Sequence, residues 1–311
     1  MHALHEPPAL RAVPAGPRIG LVVCKVDWHA RALARAFATH GAAMTPVLLT
    51  ACGLSASAPC GVVIAGFAAV PDAIMVRDMA GGTFEAVTLR LGILHAAREA
   101  GVLVWNDARA IERCVDKSMT SFLLARAGVP TLPAWAVESR DEACAIVARE
   151  RGPLVLKPLF GSQGRGLRLV TSPADLPGAD AVRGVYYLQR FAGGDGDGFR
   201  DFRLLVSRGR IVAAMARHSP HWITNVKQGG RPVAVAPTAQ MADLAVAAAA
   251  AVGASFAGVD IIAGGDGALT VLEVNSMPAW SGLQKVTPFD IAARLASDLV
   301  AVAAARAPLT A

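Results

Sequence analysis

Two apolar runs decide the fold, Phe256-Ala-Gly-Val-Asp260-Ile-Ile and Val271-Leu-Glu273-Val-Asn275-Ser-Met-Pro278, with Gly264-Gly-Asp-Gly267 between them. The glycine-rich tetrapeptide predicts a hairpin turn that joins two strands. With Gly265-Asp266 as a two-residue loop, counting outward pairs Asp260 with Val271. Because side chains alternate between the faces of a strand, Asp260, Glu273 and Asn275 then share one face. Glu273 is expected diagonally across from Asp260, at roughly 7 Å or less between Cβ atoms.

These three polar side chains indicate a cation site. Their neighbours Val259, Ile261, Leu272 and Val274 are apolar, so two carboxylates and an amide would be costly to bury there without partners. Oxygen ligands of this kind suit Mg²⁺, which usually takes one or two carboxylates together with substrate phosphates. A solvated sheet face with ordinary polar residues is the alternative interpretation.

A second motif combines a lysine with a glycine-rich loop, Lys157-Pro-Leu-Phe-Gly161-Ser162-Gln163-Gly164-Arg-Gly166. Glycine lets backbone N–H groups approach phosphate oxygens closely, and the lysine adds a positive charge. The motif is not a Walker loop, because its spacing differs and a strand is expected to follow it. By itself the loop also fits an ordinary tight turn.

Further cations and amides flank the predicted hairpin. Arg203 begins a strand, Arg217 ends the next strand, and Asn225, Lys227 and Gln228 lie in the loop that follows. Lys117 begins a helix after Asp116. Isolated arginines are usually surface residues. If these cations and amides converge with the carboxylates and the glycine loop, however, they would neutralise a transferring phosphoryl group.

The order of predicted elements indicates an α/β chain that becomes α+β in its C-terminal half. Residues 1–17 are Pro/Ala-rich and are expected to form a flexible tail. Strand–helix alternation over residues 18–113 predicts a mainly parallel sheet, with strands at 19–24, 62–64, 73–76 and 102–105. Residues 114–192 are expected to form a second unit. Residues 193–311 are expected to form a third, which begins with a hairpin turning at Arg208-Gly209.

The amino-acid composition indicates which classes of ligand and partner this chain is expected to bind. The 311 residues are 54% hydrophobic and carry a net charge of +6, which favours anionic ligands. Nucleic acid is not expected, because the chain lacks a Lys/Arg block and only 5% of its residues are aromatic. The five cysteines are widely spaced and are expected to be reduced thiols in the cytoplasm. No membrane span is expected, since the longest apolar stretch, 244–262, contains Gly253, Gly258 and Asp260.

Read together, these motifs resemble the ATP-grasp superfamily, and within it the RimK-type glutamate ligases. The likeness extends from residue 18 to about 300. It is strongest in the two hairpin runs and in Asp201-Phe-Arg203, Trp222-Ile-Thr-Asn225 and Val115-Asp-Lys117-Ser. Within this branch, three stretches are most similar to tetrahydromethanopterin α-L-glutamate ligases: Asp27-Trp28-His29, the run from Gly82 to Arg90, and the run from Pro278 to Gln284.

The resemblance implies an N-terminal parallel α/β unit followed by two α+β units that hold ATP between them. It implies ATP contacts from the residues around the glycine loop and the adenine hinge: Lys117, Lys157, Gly161, Ser162, Gln163, Gly164, Gly166, Gln189, Arg190 and Phe191. Arg203, Arg217 and Asn225 would stabilise the transition state in which an acyl phosphate forms. Asp260, Glu273 and Asn275 would hold two Mg²⁺ (or Mn²⁺) ions. Five further residues are expected to bind substrate: Arg77, Arg90, Lys227, Ser276 and Trp280.

The activity implied is an ADP-forming ligation of L-glutamate to the carboxylate of a small, cofactor-like acceptor such as a pterin. A glutamate ligase acting on a protein C-terminus and a non-catalytic ATP-binding module remain alternatives. The non-catalytic alternative arises because many relatives carry an arginine where this chain has Gln228, before Gly229-Gly230. Lys227 is a candidate substitute for that arginine. The acceptor, the number of glutamates added and the choice between monomer and homo-oligomer stay open.

Overall fold

The computed structural model describes residues 16–161, 164–193 and 198–306. The first part of the chain forms a four-stranded parallel sheet in the order β2–β1–β5–β6, with helices on both faces. Its elements are β1 (Arg18–Val22), α1 (Trp28–Thr39), β2 (Ala43–Val47), β3 (Gly53–Leu54), β4 (Val62–Val63), β5 (Ala73–Val76), α2 (Phe84–Glu99), β6 (Leu103–Trp105) and α3 (Ala108–Val115).

Two details of this sheet differ from the sequence-based expectation. The strand predicted at residues 62–64 does not join the parallel sheet, because β4 pairs antiparallel with β3 in a separate two-stranded ribbon. The place beside β1 is taken by β2, which the apolar pattern did not indicate. This strand contains Pro46 and lies at the edge of the sheet, where a missing N–H is tolerated.

The middle of the chain forms an antiparallel sheet in the order β7–β10–β8–β9. Its elements are α4 (Lys117–Arg126), β7 (Ala134–Val137), α5 (Arg140–Arg149), β8 (Leu154–Lys157), β9 (Arg168–Val170) and β10 (Tyr186–Arg190). Helix α5 covers one face, and its Ile146 and Val147 share a hydrophobic core with Leu156 and Tyr186. This core is separate from the other cores of the molecule.

The last part of the chain forms a five-stranded antiparallel sheet in the order β13–β12–β11–β14–β15. Its elements are β11 (Phe199–Ser207), β12 (Arg210–Ser219), β13 (Arg231–Ala234), α6 (Ala239–Val252), β14 (Phe256–Ala263), β15 (Leu269–Asn275), α7 (Ser281–Gln284) and α8 (Ile291–Ala304). The predicted turn at Arg208-Gly209 joins β11 and β12. Both of its residues have positive φ, 50° and 67°.

The decisive hairpin is present, but its register differs from the one predicted. Asp260 pairs directly with Glu273 instead of Val271, and Ile261 pairs with Val271. Leu272 is the extra residue of a β-bulge, and the turn between the strands is longer than two residues. The bulge rotates Val271 into the core, while Asp260 and Glu273 lie opposite each other on one face.

The first and last sheets share a hydrophobic core. Phe37 of α1, Trp105 at the end of β6, Phe256 at the start of β14 and Leu295 of α8 belong to one cluster. The other face of the five-stranded sheet packs on α4 and α6. No helix in the described part of the chain has both the length and the apolar character needed to cross a bilayer.

We expect the shared core to contribute strongly to stability. Phe256 is fully buried, and its ring lies 5.6 Å from that of Trp105. Phe256→Ala should lower the free energy of unfolding by about 3–5 kcal/mol, because it leaves a cavity between the two sheets. Urea denaturation followed by circular dichroism measures the change. Phe84→Ala, at a side chain that is 83% exposed, is the matched control. Equal losses in the two variants would contradict the shared core.

Candidate active site

A row of charged side chains crosses four adjacent strands of the five-stranded sheet. Arg217 of β12 lies opposite Asp201 of β11, Arg203 of β11 lies opposite Asp260 of β14, and Asp260 lies opposite Glu273 of β15. Because Asp201 and Arg203 are two residues apart, they project from the same face. Register and alternation therefore bring five charges from distant parts of the sequence into one line.

Each member of the row is held by its neighbours. Arg203 donates two hydrogen bonds of 2.6 Å to the two carboxylate oxygens of Asp260. Arg217 forms a bidentate pair with Asp201, and its guanidinium also lies 2.9 Å from Asp260 Oδ2. Sequence analysis did not identify Asp201 as a partner, although its two-residue spacing from Arg203 was the available signal.

Burial makes these pairings obligatory. Asp260 is 2% exposed and Arg217 is 3% exposed. Burial alone would raise the pKa of Asp260, but Arg203 and Arg217 outweigh it and hold that pKa well below its usual range. Burial likewise opposes the charge of Arg217, and Asp260 and Asp201 outweigh it, so the arginine pKa is raised. Both groups therefore stay ionised at neutral pH, and removing one partner would leave an uncompensated charge.

Glu273 and Asn275 form the open end of the row. Asn275 Nδ2 donates to Glu273 Oε1 at 3.0 Å, and Arg203 lies 3.7 Å from the same oxygen. The side chain of Glu273 is about one-third exposed, unlike that of Asp260. Within the described residues, no group of three or more His, Cys, Asp or Glu side chains could hold a metal ion. A cation here would therefore need Asn275 and oxygens supplied by a substrate.

The opposite wall comes from the middle sheet. Lys157 ends β8, and its ammonium donates to Gln189 Oε1 of β10 at 2.6 Å. Burial, together with nearby Lys117, lowers the pKa of Lys157 to about 8, although Glu273 acts in the other direction. Lys117 begins α4, and its ammonium donates to the carbonyls of Leu159 and Gly161 at 3.3 and 2.9 Å. Both lysines face the carboxylates across a gap.

The gap is a cavity of about 420 Å³, a volume typical of small-ligand sites. It is lined by most of the predicted nucleotide, transition-state and metal residues: Lys117, Lys157, Gly161, Gly164, Gln189, Arg190, Phe191, Arg217, Asn225, Asp260 and Glu273. The predicted residues Arg203 and Asn275 are not among the described residues that line it. Ser162 and Gln163 lie outside the described residues. Gly166 packs against Pro158 instead, where an added Cβ would come within 2.9 Å of the proline ring.

Apolar and aromatic side chains complete the cavity, and most of them were not predicted. Leu132, Val155, Leu167, Ile262 and the bulge residue Leu272 line it, together with Phe199 and Trp222. The Phe191 ring packs edge-on against Trp222 at 6.0 Å. Nothing in the local sequence distinguishes these apolar residues from ordinary core residues, so only the packing of the two sheets identifies them.

One polar atom in the wall supports a planar, hydrogen-bonding ligand. Gln189 is 1% exposed, and its Nε2 has no hydrogen-bond partner among the described residues. A buried amide donor of this kind is costly unless something accepts from it. A heterocycle with a ring nitrogen acceptor, such as adenine, fits that position, and the surrounding cations fit phosphates.

The glycine loop meets the 222–230 loop over the cavity. Gly164 has a φ of 68°, and an added Cβ would come within 2.9 Å of the Asn225, Ile223 and Gln228 side chains. Any larger residue at position 164 would therefore clash as well as being strained. A short 3₁₀ turn, Val226–Gln228, follows Asn225 and leaves Lys227 exposed on the other side of the loop.

Two of the predicted substrate residues, Arg77 and Trp280, lie together at the carboxyl edge of the parallel sheet. Arg77 follows β5, its guanidinium lies 5.3 Å from the centre of the Trp280 ring, and it donates to the Met277 carbonyl at 3.3 Å. His29 Nε2 accepts from the Trp280 backbone N–H at 3.2 Å, and His29 Nδ1 lies 3.0 Å from Asp27. Burial, reinforced by Arg77, lowers the pKa of His29, so the ring is neutral at pH 7.

The remaining three predicted substrate residues occupy different surroundings. Arg90 of α2 donates to the carbonyls of Ala80 and Gly81 at 2.6 and 3.0 Å. Lys227 adds to the lowering of the His29 pKa, and its neighbour Val226 packs against the core cluster that contains Trp280. Ser276 is buried, and its carbonyl accepts from Asn106. Ser276 is not among the described residues that line the cavity.

Comparison with known proteins identifies relatives of this chain. A family model described as a RimK-like ATP-grasp domain matches residues 114–299, more than half of the chain. The tetrahydromethanopterin:alpha-L-glutamate ligase of Methanococcus maripaludis is 36% identical over 203 residues, covering 63% of this chain and 69% of that protein. The protein of the same name from Methanosarcina acetivorans is 33% identical over 246 residues, covering 68% and 74%.

A solved structure has the same fold. The ATP-grasp ligase PsnB, complexed with minimal precursor, Mg and ADP, superposes with a TM-score of 0.69 at 23% identity, over 92% of this chain and 98% of that chain. The ATP-grasp fold expected from the sequence is thereby confirmed. Together with the family model and the relatives above 30% identity, it shows that this chain belongs to the RimK-like ATP-grasp family of ADP-forming carbon–nitrogen ligases.

Proposed function

We propose that this ligase joins the amino group of L-glutamate to a carboxylate of a small, pterin-like acceptor by way of an acyl phosphate. The observation that carries the proposal is the charged row from Arg217 to Glu273, which faces two lysines across a cavity of nucleotide size. Two relatives at 36% and 33% identity are named tetrahydromethanopterin:alpha-L-glutamate ligase, which supports the choice of substrates.

ATP would lie between the middle sheet and the five-stranded sheet. The Gln189 amide nitrogen, which has no partner among the described residues, would donate to the adenine, and the nearby Phe191 and Trp222 rings would enclose it. Lys117 and Lys157 would contact the phosphates. Lys117 would then exchange its bonds to the Leu159 and Gly161 carbonyls for bonds to phosphate oxygens.

Asp260, Glu273 and Asn275 would hold two Mg²⁺ ions, with Mn²⁺ as the alternative. Arg203 and Arg217 already direct three N–H groups at Asp260, whose carboxylate has about four acceptor positions. Glu273 and Asn275 would therefore carry most of the coordination, and phosphate oxygens would complete it. Bound metal would supply charge neutralisation at the transferring phosphoryl group.

The chemistry has two steps. An acceptor carboxylate oxygen attacks the γ-phosphorus of ATP, and the bond from that phosphorus to ADP breaks. The glutamate nitrogen then attacks the acyl carbon, a C–N bond forms, phosphate leaves and the nitrogen loses a proton. Arg203 and Arg217 are already fixed by Asp260 and Asp201, so they would stabilise the developing charge without reorganisation.

The acceptor would bind at the edge of the parallel sheet, beside the ATP cavity. In the strand order β2–β1–β5–β6, the connections that leave β1 and β5 run in opposite directions, and ligands of such sheets bind at the carboxyl ends of the strands near that point. Asp27 and Arg77 follow β1 and β5 there. Lys227 lies in the loop whose Asn225 lines the cavity, and its neighbour Val226 packs against the core cluster that contains Trp280. Arg90 and Lys227 would pair with the anionic part of the acceptor.

Release of ADP should require both glutamate and an acceptor. We expect it with a pterin carboxylate in a coupled assay that screens pterin, furan and peptide carboxylates. Arg203→Lys should lower kcat by about 100- to 1,000-fold, because the bidentate contact to Asp260 is lost. Arg210→Lys, at an exposed arginine of the next strand, should be nearly neutral. Labelled glutamate found in protein instead of a small molecule would favour the protein-tail alternative.

The charge on Lys157 should make nucleotide binding depend on pH. Because its pKa is about 8, most of the ammonium is protonated at pH 7 and little of it at pH 9. The Kd for ADP in metal-free buffer should therefore rise as the pH passes 8, as measured by calorimetry. Lys157→Met should bind ADP weakly at every pH, while Lys285→Met keeps the wild-type profile. A profile of Lys157→Met that matches the wild type would rule out this contact.

Loss of a cation at the edge of the parallel sheet should weaken binding of the acceptor and leave binding of ATP unchanged. Arg90→Gln and Lys227→Gln should each raise the KM for the acceptor by about 10-fold, because a charge-assisted hydrogen bond is lost. The KM for ATP should stay unchanged, since neither side chain lines the nucleotide cavity among the described residues. Initial rates at saturating glutamate separate the two constants. A parallel rise in both would place the acceptor elsewhere.

A further inference from the structure

Asn106 is a buried polar residue that the proposed chemistry does not use. It directly follows β6 in the first sheet, is 0% exposed and is not among the described residues that line the cavity. A buried primary amide needs two acceptors for its N–H groups and donors for its oxygen. Its partners therefore show what the side chain holds.

Among the described residues, the Asn106 side chain bonds only to the backbone of the hairpin that carries the acidic residues and of the residues that flank its strands. Asn106 Nδ2 donates to the carbonyls of Phe256 and Ser276, both at 2.6 Å. Asn106 Oδ1 accepts from the N–H groups of Ser255 and Phe256 at 2.7 and 3.1 Å. One side chain thus joins the first residues of β14 to the residue that follows β15.

The position of these bonds relative to the acidic residues is informative. Ser276 is the next residue after Asn275, and Phe256 lies four residues before Asp260. Asn275 pairs with Gly258 as the last residue of β15, and β15 is an edge strand of its sheet. The end of an edge strand lacks a neighbour on one side, so without another restraint it would be the first part of the hairpin to fray.

We propose that Asn106 is a positioning residue that fixes Asn275 and Glu273 in the geometry needed for metal coordination. The inference rests on the proposed function, because it assumes that these two residues are metal ligands. The bond from Asn106 Nδ2 to the Ser276 carbonyl carries the effect, and the bonds to Ser255 and Phe256 hold the other strand in register. The first sheet, which contributes no metal ligand, thereby controls the affinity of the metal site.

Two variants separate this role from general stabilisation. Asn106→Asp keeps the acceptor for Ser255 and Phe256 but turns a carboxylate oxygen towards the Ser276 carbonyl. Asn106→Ser keeps a small polar side chain and provides a second folded variant. Ser207→Ala is the matched control: it removes a buried hydroxyl that bonds to Asp298 at 2.6 Å, in the residue of β11 that pairs with Phe256, so it destabilises the same end of the hairpin without removing an Asn106 bond.

The test measures Mn²⁺ binding to the protein–ADP complex by electron paramagnetic resonance, alongside thermal unfolding and ADP binding in EDTA. Asn106→Asp and Asn106→Ser should weaken Mn²⁺ binding by about 10- to 100-fold, the range for residues that orient metal ligands. ADP binding in EDTA should change by less than about twofold, and Ser207→Ala should lower Tm while leaving the Mn²⁺ Kd within about twofold.

Wild-type Mn²⁺ affinity in a folded Asn106 variant would overturn the inference and leave the proposed function intact. The variant Glu273→Gln distinguishes a failure of this inference from a failure of the proposed metal site. If Glu273→Gln also binds Mn²⁺ like the wild type, the assignment of the metal ligands is wrong and the inference fails with it. A loss of Mn²⁺ affinity in Ser207→Ala equal to that in the Asn106 variants would likewise overturn it, because general destabilisation would then explain both.

Discussion

Arg217, Asp201, Arg203 and Asp260 lie side by side on one face of the five-stranded sheet, and none of them could be buried there alone. Moving an isolated charge out of water costs several kcal/mol, and here each charge is offset by an immediate neighbour. The row therefore exists only when β12, β11 and β14 are paired in the observed register. Formation of the sheet and formation of the site are the same event.

The same row explains why the site is ready to act on an anion. The arginines cannot turn away without leaving Asp260 and Asp201 unpaired, so their N–H groups stay directed before any substrate arrives. At the open end, the partly exposed Glu273 leaves carboxylate oxygens accessible to the cavity, and Asn275 is hydrogen-bonded to it. The buried arginine–aspartate pairs thus keep the site rigid, and the partly exposed Glu273 carboxylate stays accessible to a ligand.

The distribution of cores relates this rigid sheet to its surroundings. The first and last sheets share one core, so the edge of the parallel sheet and the hairpin are held in a fixed relation. The middle sheet, which carries Lys157 and Gln189, packs around its own core with α5. Separate cores allow the wall that carries Lys157 to move relative to the charged row with little loss of apolar contact, whereas α4, which begins at Lys117, packs on the five-stranded sheet. A cavity between two such units suits a nucleotide that must enter and leave.

The sequence by itself determined the fold class, the strand–turn–strand that carries Asp260, Glu273 and Asn275, and the lysine–glycine loop. These features depend on short-range rules: alternation along a strand, glycine at turns, and polar residues in apolar runs. Tertiary structure alone decided the bulge at Leu272, the pairing of Arg217 with Asp201, and the four backbone contacts of Asn106. Each of these depends on which segments pack side by side, and contacts between segments far apart in the chain decide that.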